Sequence, residues 1–96
     1  MYARLIKLNL GPGARKTAEG IADAAARIFR ASRGFKSVTF FMDDKAGEYC
    51  GFSVWESMDA LEAAVAAVQP VLKEKAGDLL KTPPQAGHYE VYEAKT

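Results

Sequence analysis

Apolar and polar residues alternate in several short segments of this chain, and between those segments the apolar residues recur at helical spacing. The segments with strand length and many aromatic or β-branched side chains are residues 2–10, 35–42, 49–55 and 88–94. Residues 14–32 instead carry an apolar stripe at three- and four-residue steps, with charged side chains on the opposite side. This change of period predicts a helix between the first two strands.

A second helical stripe follows the third strand and begins at Ser57, whose hydroxyl is a favourable N-cap. Pro70 predicts that this helix ends or kinks, because proline lacks the N–H that a helix interior uses. A short further helix to about residue 80 and then a loop with Pro83 and Pro84 are expected. The predicted order is β-α-β-β-α-β. It is typical of an α+β, ferredoxin-like fold, with a four-stranded antiparallel sheet and the helices on one face.

The third and second strands predict two apolar sheet faces. The residues expected to meet the helices are Val38, Phe40, Met42, Cys50, Phe52 and Val54. The residues then expected on the opposite face are Ser37, Thr39, Phe41, Tyr49, Gly51, Ser53 and Trp55. That second face is aromatic and small rather than charged, and a monomer would expose it. We therefore expect a homodimer through the sheet faces; a monomer with a semi-exposed aromatic face is the alternative.

Composition limits the remaining possibilities. The 96 residues include 13 basic and 12 acidic side chains, a net charge of +1, so we expect one domain over 1–96 and no nucleic-acid or membrane partner. One cysteine, Cys50, excludes an internal disulfide and a multi-cysteine zinc site. The first residues lack the pattern of a secretory signal, and no apolar run has membrane-spanning length, so a cytoplasmic protein is expected.

RNA-recognition modules share the predicted element order, and their third strand carries a characteristic aromatic motif. In the best register, residues 48–55, only Gly51, Phe52 and Trp55 agree with that motif. Glu48 stands where the motif has a basic residue, and its charge would repel phosphate. The strand therefore does not indicate RNA binding.

The passage from the third strand into the second helix reads Phe-Ser-Val-Trp-Glu-Ser-Met-Asp-Ala-Leu-Glu-Ala over residues 52–63. This passage resembles that of the antibiotic biosynthesis monooxygenase (ABM) family, which typically has Trp-Glu-Ser followed by Leu-Glu-Ala. The order and length of the other elements agree with the family over essentially the whole chain. The resemblance implies a dimeric α+β barrel, with two sheets packed together and a small cavity in each subunit between sheet and helices.

The resemblance also implies a chemistry. The family includes monooxygenases that oxidise hydroquinones or polycyclic phenols with dioxygen and need neither metal nor flavin, so a small aromatic or quinol substrate and no cofactor are expected. Quinol-oxidising relatives often carry histidines where this chain has Ala60 and Ala64. A haem-degrading branch needs an axial histidine where residues 72–75 read Leu-Lys-Glu-Lys. A non-catalytic, dimeric small-ligand-binding domain therefore remains an alternative, with haem binding or degradation third.

Four residues are candidates for binding such a substrate. Trp55 and Phe41 are candidate walls against an aromatic ring, although a tryptophan is commonly a core or interface residue. Arg4 and Lys7 are candidate cations for a phenolate. They lie on opposite faces of the first strand, so the alternation predicts that one of them points inward.

The candidate catalytic residues are Tyr49, Tyr92, His88 and Asn9. A tyrosine beside a cation can hydrogen-bond a phenolic substrate, and Asn9 can orient an oxygen-bearing group. His88, the only histidine, is a possible base near neutral pH, but it also fits a solvated strand end. The sequence leaves the choice among them open.

Overall fold

The computed structural model of the chain describes residues 1–95 and follows the predicted order of elements. The strands and helices are β1 (Tyr2–Asn9), α1 (Arg15–Arg30), β2 (Phe35–Asp43), β3 (Glu48–Trp55), α2 (Met58–Ala76) and β4 (Gln85–Glu90). The strands form one antiparallel sheet in the order β2-β3-β1-β4. The ferredoxin-like fold is thus confirmed. Neither helix within residues 1–95 is long and apolar enough to cross a lipid bilayer.

Helix α1 buries one stripe against the sheet. Its buried residues are mostly alanines, with Ile21 and Phe29 as the larger side chains. Alanine favours the helix and also lets its backbone come close to the sheet and to α2. Arg27 and Arg30 stand in the last turn, where a positive charge interacts favourably with the helix dipole.

Helix α2 begins as predicted and ends later than predicted. The Ser57 hydroxyl accepts a hydrogen bond from the Ala60 N–H at 3.1 Å, so the expected N-cap is present. The alternative that the helix ends at Pro70, with a separate short helix after it, is wrong, because α2 continues through Pro70 to Ala76. Pro70 is exposed, so water can satisfy the carbonyl that its missing N–H leaves free. Buried residues on both sides of Pro70 continue one stripe, and their packing outweighs the local defect.

Strand β4 lies earlier than the predicted 88–94. Its pairing with β1 begins at Lys7↔Gln85 and ends at Tyr2↔Glu90. Since β1 starts at Tyr2, residues after Glu90 have almost no partner strand. The Val91 N–H still donates to the Met1 carbonyl at 2.9 Å, and the ladder stops there. The position of β4 is therefore set by the length of β1.

The register of the β2–β3 hairpin reverses the predicted faces of β3. Phe40 pairs with Gly51, and Met42 pairs with Tyr49. Tyr49, Gly51, Ser53 and Trp55 consequently lie on the helix side, and the expectation that Phe52 and Val54 meet the helices is wrong. Cys50 lies on the side of Phe52 by register, and it is also among the residues that line the space between sheet and helices. The absence of a side chain at Gly51 makes room for a neighbouring ring, since a Cβ there would lie 3.2 Å from a Phe40 ring carbon. The prediction for β2 stands, with Val38, Phe40 and Met42 facing the helices.

The side of the sheet away from the helices is also apolar, but with different members on β3. We call it the outer face, and its apolar members are Leu5, Phe41, Cys50, Phe52, Val54 and Tyr89. Phe41 and Tyr89 are 48% and 54% exposed, far more than aromatic side chains of a core. Nothing within residues 1–95 covers this face, so the dimer expected from an apolar second face stays a prediction.

Candidate functional site

A cavity of about 60 Å³ lies between the sheet and the two helices. Strand β1 lines it with Arg4, Ile6 and Leu8, the face predicted from alternation. The other principal lining side chains are Ile21, Ala22, Phe40, Met42, Tyr49, Ser53, Val68 and Leu72. Almost all of these groups are apolar, so the few polar ones determine what the cavity can bind.

The size of the cavity limits its ligands. A benzene ring occupies an apolar cavity of about 150 Å³ in proteins, whereas a single water needs only about 10–15 Å³. At about 60 Å³, the cavity holds one or two small molecules, and a ring enters only if lining side chains move apart. Met42 and Leu72 are partly buried at its margin. The flexible thioether side chain of Met42 is the kind that repacks readily around a ligand.

Arg4 is the charged residue of the cavity wall. It is only 6% exposed, and its Nε has no hydrogen-bond partner. None of the ion pairs among residues 1–95 includes it. Burial lowers the pKa of the Arg4 guanidinium below its ordinary value because water no longer solvates the charge. In the sheet register, Ser53 of β3 and His88 of β4 lie directly opposite Arg4, on the same face of the sheet.

Two hydroxyls also face the cavity, and each already accepts one hydrogen bond. The Tyr49 hydroxyl accepts from the Ala14 N–H at 3.2 Å and so helps to satisfy the start of α1. The Ser53 hydroxyl accepts from Trp55 Nε1 at 2.9 Å. Both O–H groups remain available to donate to a ligand.

Trp55, the first candidate for a ring-stacking wall, lies in the hydrophobic core. It is 1% exposed and packs edge-on against Phe29 and Phe35, with ring centroids 5.2 Å and 5.5 Å away. It is absent from the cavity lining, which Ser53 and Phe29 form at that end. Its contact with the cavity is therefore indirect, through its hydrogen bond to Ser53.

Two other binding candidates lie on the opposite side of the sheet. Phe41 is on the outer face, and so is Lys7, whose Nζ lies 3.7 Å from Glu48 Oε2. The alternation predicted that one of Arg4 and Lys7 points inward, and the inward residue is Arg4. Arg4 and Tyr49 thus both line the cavity, four residues apart in the register of β1, and Phe41 and Lys7 lie outside it.

The remaining catalytic candidates lie away from the cavity lining. The Asn9 side chain accepts the Gly11 N–H at 3.2 Å and holds the turn after β1. Tyr92 follows β4 and is 77% exposed. His88 is exposed on β4, but its register beside Arg4 puts it next to one end of the cavity wall. Of these residues, only His88 lies directly opposite Arg4 in the strand register.

Sequence reasoning did not identify Ser53 as a site residue, because it assigned Ser53 to the other face of the sheet. The signal was present in the hairpin itself. Residues 43–48 were expected to connect the strands, which already sets Met42 opposite Tyr49. From that pair, each step back along β2 is one step forward along β3, so Ser53 lies opposite Val38, on the face that meets the helices.

The match to a family model decides the affiliation of the chain. Residues 1–69, more than half of the sequence, match the model described as antibiotic biosynthesis monooxygenase. The chain belongs to the ABM family. The match includes β1, α1, the β2–β3 hairpin and most of α2, so it contains nearly every element that lines the cavity.

Solved structures resemble this ABM chain along almost its whole length. SnoaB, a cofactor-independent oxygenase from Streptomyces nogalater, is 25% identical with a TM-score of 0.73, and the match covers 98% of this chain and 95% of SnoaB. Rv0793 from Mycobacterium tuberculosis is 21% identical with a TM-score of 0.81, with coverage of 99% and 98%. A monooxygenase from the ActVA-Orf6 gene of Streptomyces coelicolor, solved with nanaomycin D, is 20% identical with a TM-score of 0.75, with coverage of 99% and 90%.

The similarities to Rv0793 and to the ActVA-Orf6 monooxygenase, at 21% and 20% identity, show the fold alone. No curated protein sequence matches this ABM chain. Within residues 1–95, no three histidine, cysteine or acidic side chains form a group that would hold a metal ion.

Proposed function

We propose that this ABM-family chain is a cofactor-independent monooxygenase that oxidises a small aromatic or quinol-type substrate with dioxygen. The observation that carries the proposal is the apolar cavity between sheet and helices, in a chain matched to the family over residues 1–69. An apolar cavity suits this chemistry because it keeps bulk water away from reactive oxygen intermediates. SnoaB, at 25% identity, is a cofactor-independent oxygenase.

The substrate supplies the electrons for the reaction. With a hydroquinone, one atom of dioxygen forms a new C–O bond on the ring, and the other atom leaves as water. Four electrons pass from the ring to dioxygen, and the product is a hydroxyquinone. The protein has to bind the ring, accept a proton from it and exclude water.

His88 is the group that we propose receives this proton. It is the only histidine of the chain and pairs with Arg4 on the helix side of the sheet. Its exposure lets it return the proton to solvent. General-base catalysis contributes about 100- to 10,000-fold, so His88→Gln lowers kcat by at least about tenfold and leaves KM nearly unchanged. An unchanged kcat excludes His88 as the base.

The volume of the cavity favours a single ring over a fused-ring substrate. Expansion from about 60 Å³ to the volume of one ring requires a few side chains to move, whereas a tricyclic ring requires the helices to move as well. We therefore propose a monocyclic hydroquinone or phenol as the substrate class. A higher kcat/KM for an anthrone than for any monocyclic hydroquinone contradicts this choice.

Dioxygen consumption by the purified protein tests the function directly. The test variant is Ala22→Leu, which fills the cavity from α1, and the matched control is Ala66→Leu on the exposed side of α2. We expect protein-dependent uptake with a monocyclic hydroquinone, lost in Ala22→Leu and kept in Ala66→Leu. Trp55→Ala is a poor test, because truncating a buried tryptophan costs about 3–5 kcal/mol of stability.

The alternative is a non-catalytic domain that binds a small apolar ligand. One observation favours it: the cavity lining of the described chain contains neither a carboxylate nor an imidazole. This alternative predicts a ligand-dependent rise in melting temperature without oxygen uptake. Uptake above the uncatalysed rate, lost in Ala22→Leu, excludes it.

The active unit that we propose is a homodimer formed through the outer faces. The apolar outer face supports this proposal, because two copies related by a twofold axis would each cover the other's exposed aromatic side chains. The cavity lies on the other side of the sheet, so each subunit would keep its own cavity.

A further inference from the structure

The burial of Arg4 has no compensation within residues 1–95. Its side chain lies at the cavity wall with 6% exposure, and Nε has no hydrogen-bond partner. A buried cation normally pairs with a carboxylate, because the loss of its hydration is otherwise unbalanced. The three ion pairs of the described residues all lie elsewhere, on exposed side chains.

The groups directly opposite Arg4 do not balance its charge, and Glu90, the acidic residue on the same face of β4, is exposed and makes no ion pair with it. Ser53 pairs with it on β3 and is neutral, and His88 pairs with it on β4 and is either neutral or positive. The remaining cavity lining contains no acidic residue. The wall therefore has a net positive charge at one place and is apolar around it.

The polar groups of the lining are all prepared to donate. The Ser53 hydroxyl, directly opposite Arg4, already accepts a hydrogen bond from Trp55, so its O–H is left to donate to another partner. Tyr49 lies opposite Leu8, four residues further along β1, and its hydroxyl accepts from Ala14. The guanidinium has only donors. A ligand that satisfies this set carries oxygen acceptors, and a negative charge on them balances the charge of Arg4.

We propose that Arg4 forms an anion subsite in the cavity, which selects aromatic ligands that carry an ionised oxygen group, with Ser53, directly opposite it on β3, as an additional donor. This inference rests on the proposed function only in that both place the ligand in the same cavity. It makes the substrate the anion of a phenol or an aromatic carboxylate. For a phenol, the cation favours loss of the proton, which leaves the ring more electron-rich.

The test measures ionisation of a bound probe, 4-nitrophenol, whose phenolate is yellow and which needs no turnover. Absorbance titrations give the pKa of the bound phenol in the wild-type protein, Arg4→Met, Arg4→Lys and the exposed control Arg27→Met. An opposite charge at close range lowers a pKa by about one unit or more, equivalent to a tenfold preference for the anion. We expect that shift in the wild type, Arg4→Lys and Arg27→Met, and its loss in Arg4→Met.

Two neutral probes separate charge from shape. The methyl ether 4-nitroanisole has the same ring without the ionisable group, and 4-hydroxybenzamide is the neutral counterpart of 4-hydroxybenzoate. We expect each neutral probe to bind at least tenfold more weakly than its anionic counterpart. Tighter binding of 4-hydroxybenzoate than of the nitrophenolate identifies a carboxylate as the preferred anion, and the reverse order identifies a phenolate.

Three results overturn the proposal: equal binding of neutral and anionic probes, a lowered probe pKa that persists in Arg4→Met, or no binding of any probe at millimolar concentration. Should Arg4→Met fail to fold, the neutral probes with wild-type protein and Arg4→Lys still decide. The readout is independent of oxygen consumption. Anion selectivity without oxygen uptake supports the anion subsite and contradicts the monooxygenase activity. Oxygen uptake without anion selectivity supports the monooxygenase activity and contradicts the anion subsite.

Discussion

Arg4 is buried in the manner of a core residue but carries a full charge without a partner. Its aliphatic stem packs well in such a position, and its head group does not, because the surrounding wall offers few acceptors. Residues of this kind reduce stability and are retained where a ligand uses them. We therefore expect the buried charge of Arg4 to lower the free energy of unfolding of the ligand-free protein.

Replacement of Arg4 by methionine is therefore expected to stabilise the protein. Methionine has a similar length and no charge, so Arg4→Met raises the free energy of unfolding by about 1–3 kcal/mol. The measurement is urea denaturation at one fixed protein concentration. Arg27→Met, on the exposed side of α1, is the control and stays within about 0.5 kcal/mol of the wild type. A loss of stability in Arg4→Met alone means that Arg4 supports the fold.

At the level of secondary structure, the sequence predicted each element type, and its errors concern how the elements pair and pack against one another. The alternation in β1 predicted which residues share a face, and the structure shows that the face with Arg4 is the one that meets the helices. The predicted faces of β3 were wrong because they were assigned from hydrophobicity without the hairpin register. Gly51 and Ser53 are small or polar, and the reasons for their burial are contacts that the sequence does not show: the Phe40 ring beside Gly51 and the Trp55 hydrogen bond to Ser53. The start of β4 was wrong because its partner strand determines it.

At Pro70, tertiary packing outweighs the local preference of proline for a helix end, and a substitution tests this interpretation. A proline in a helix interior is about 3 kcal/mol less favourable than alanine, and only packing on both sides of it keeps α2 continuous. We expect Pro70→Ala to raise the free energy of unfolding by about 1–3 kcal/mol. The adjacent, exposed Gln69→Ala is the control and changes it by only a few tenths. Equal effects of the two substitutions contradict the interpretation.

The β2–β3 turn provides a second test. Gly47 has φ +73°, and its carbonyl accepts the Leu10 N–H at 3.0 Å, so the turn packs closely on the chain after β1. A Cβ at Gly47 would lie 2.4 Å from the Gly11 carbonyl carbon, whereas Gly13, with φ +85°, has open space around it. Gly13→Ala should cost only the backbone strain, about 1–2 kcal/mol, and Gly47→Ala clearly more. Thermal melts of both variants give the comparison.

For the whole molecule, the outer face determines the expected assembly. A Phe41→Glu variant puts a carboxylate into the apolar outer face, so we expect it to convert the proposed homodimer to a monomer. The control is Leu79→Glu, because Leu79 is 45% exposed and lies in the turn after α2, away from the sheet. Analytical ultracentrifugation measures both masses. A wild-type protein that is monomeric at high concentration excludes this assembly.

Strand β1 forms the boundary between the two sides of the molecule, because it lies in the interior of the sheet between β3 and β4. Its even-numbered residues face the cavity, and its odd-numbered residues belong to the outer face. The proposed ligand preference and the proposed self-association thus depend on interleaved residues of one strand, and we expect them to change independently, one substitution at a time. An insertion or deletion of a single residue in β1 would exchange the two sets, so this strand tolerates replacement much better than a change of length.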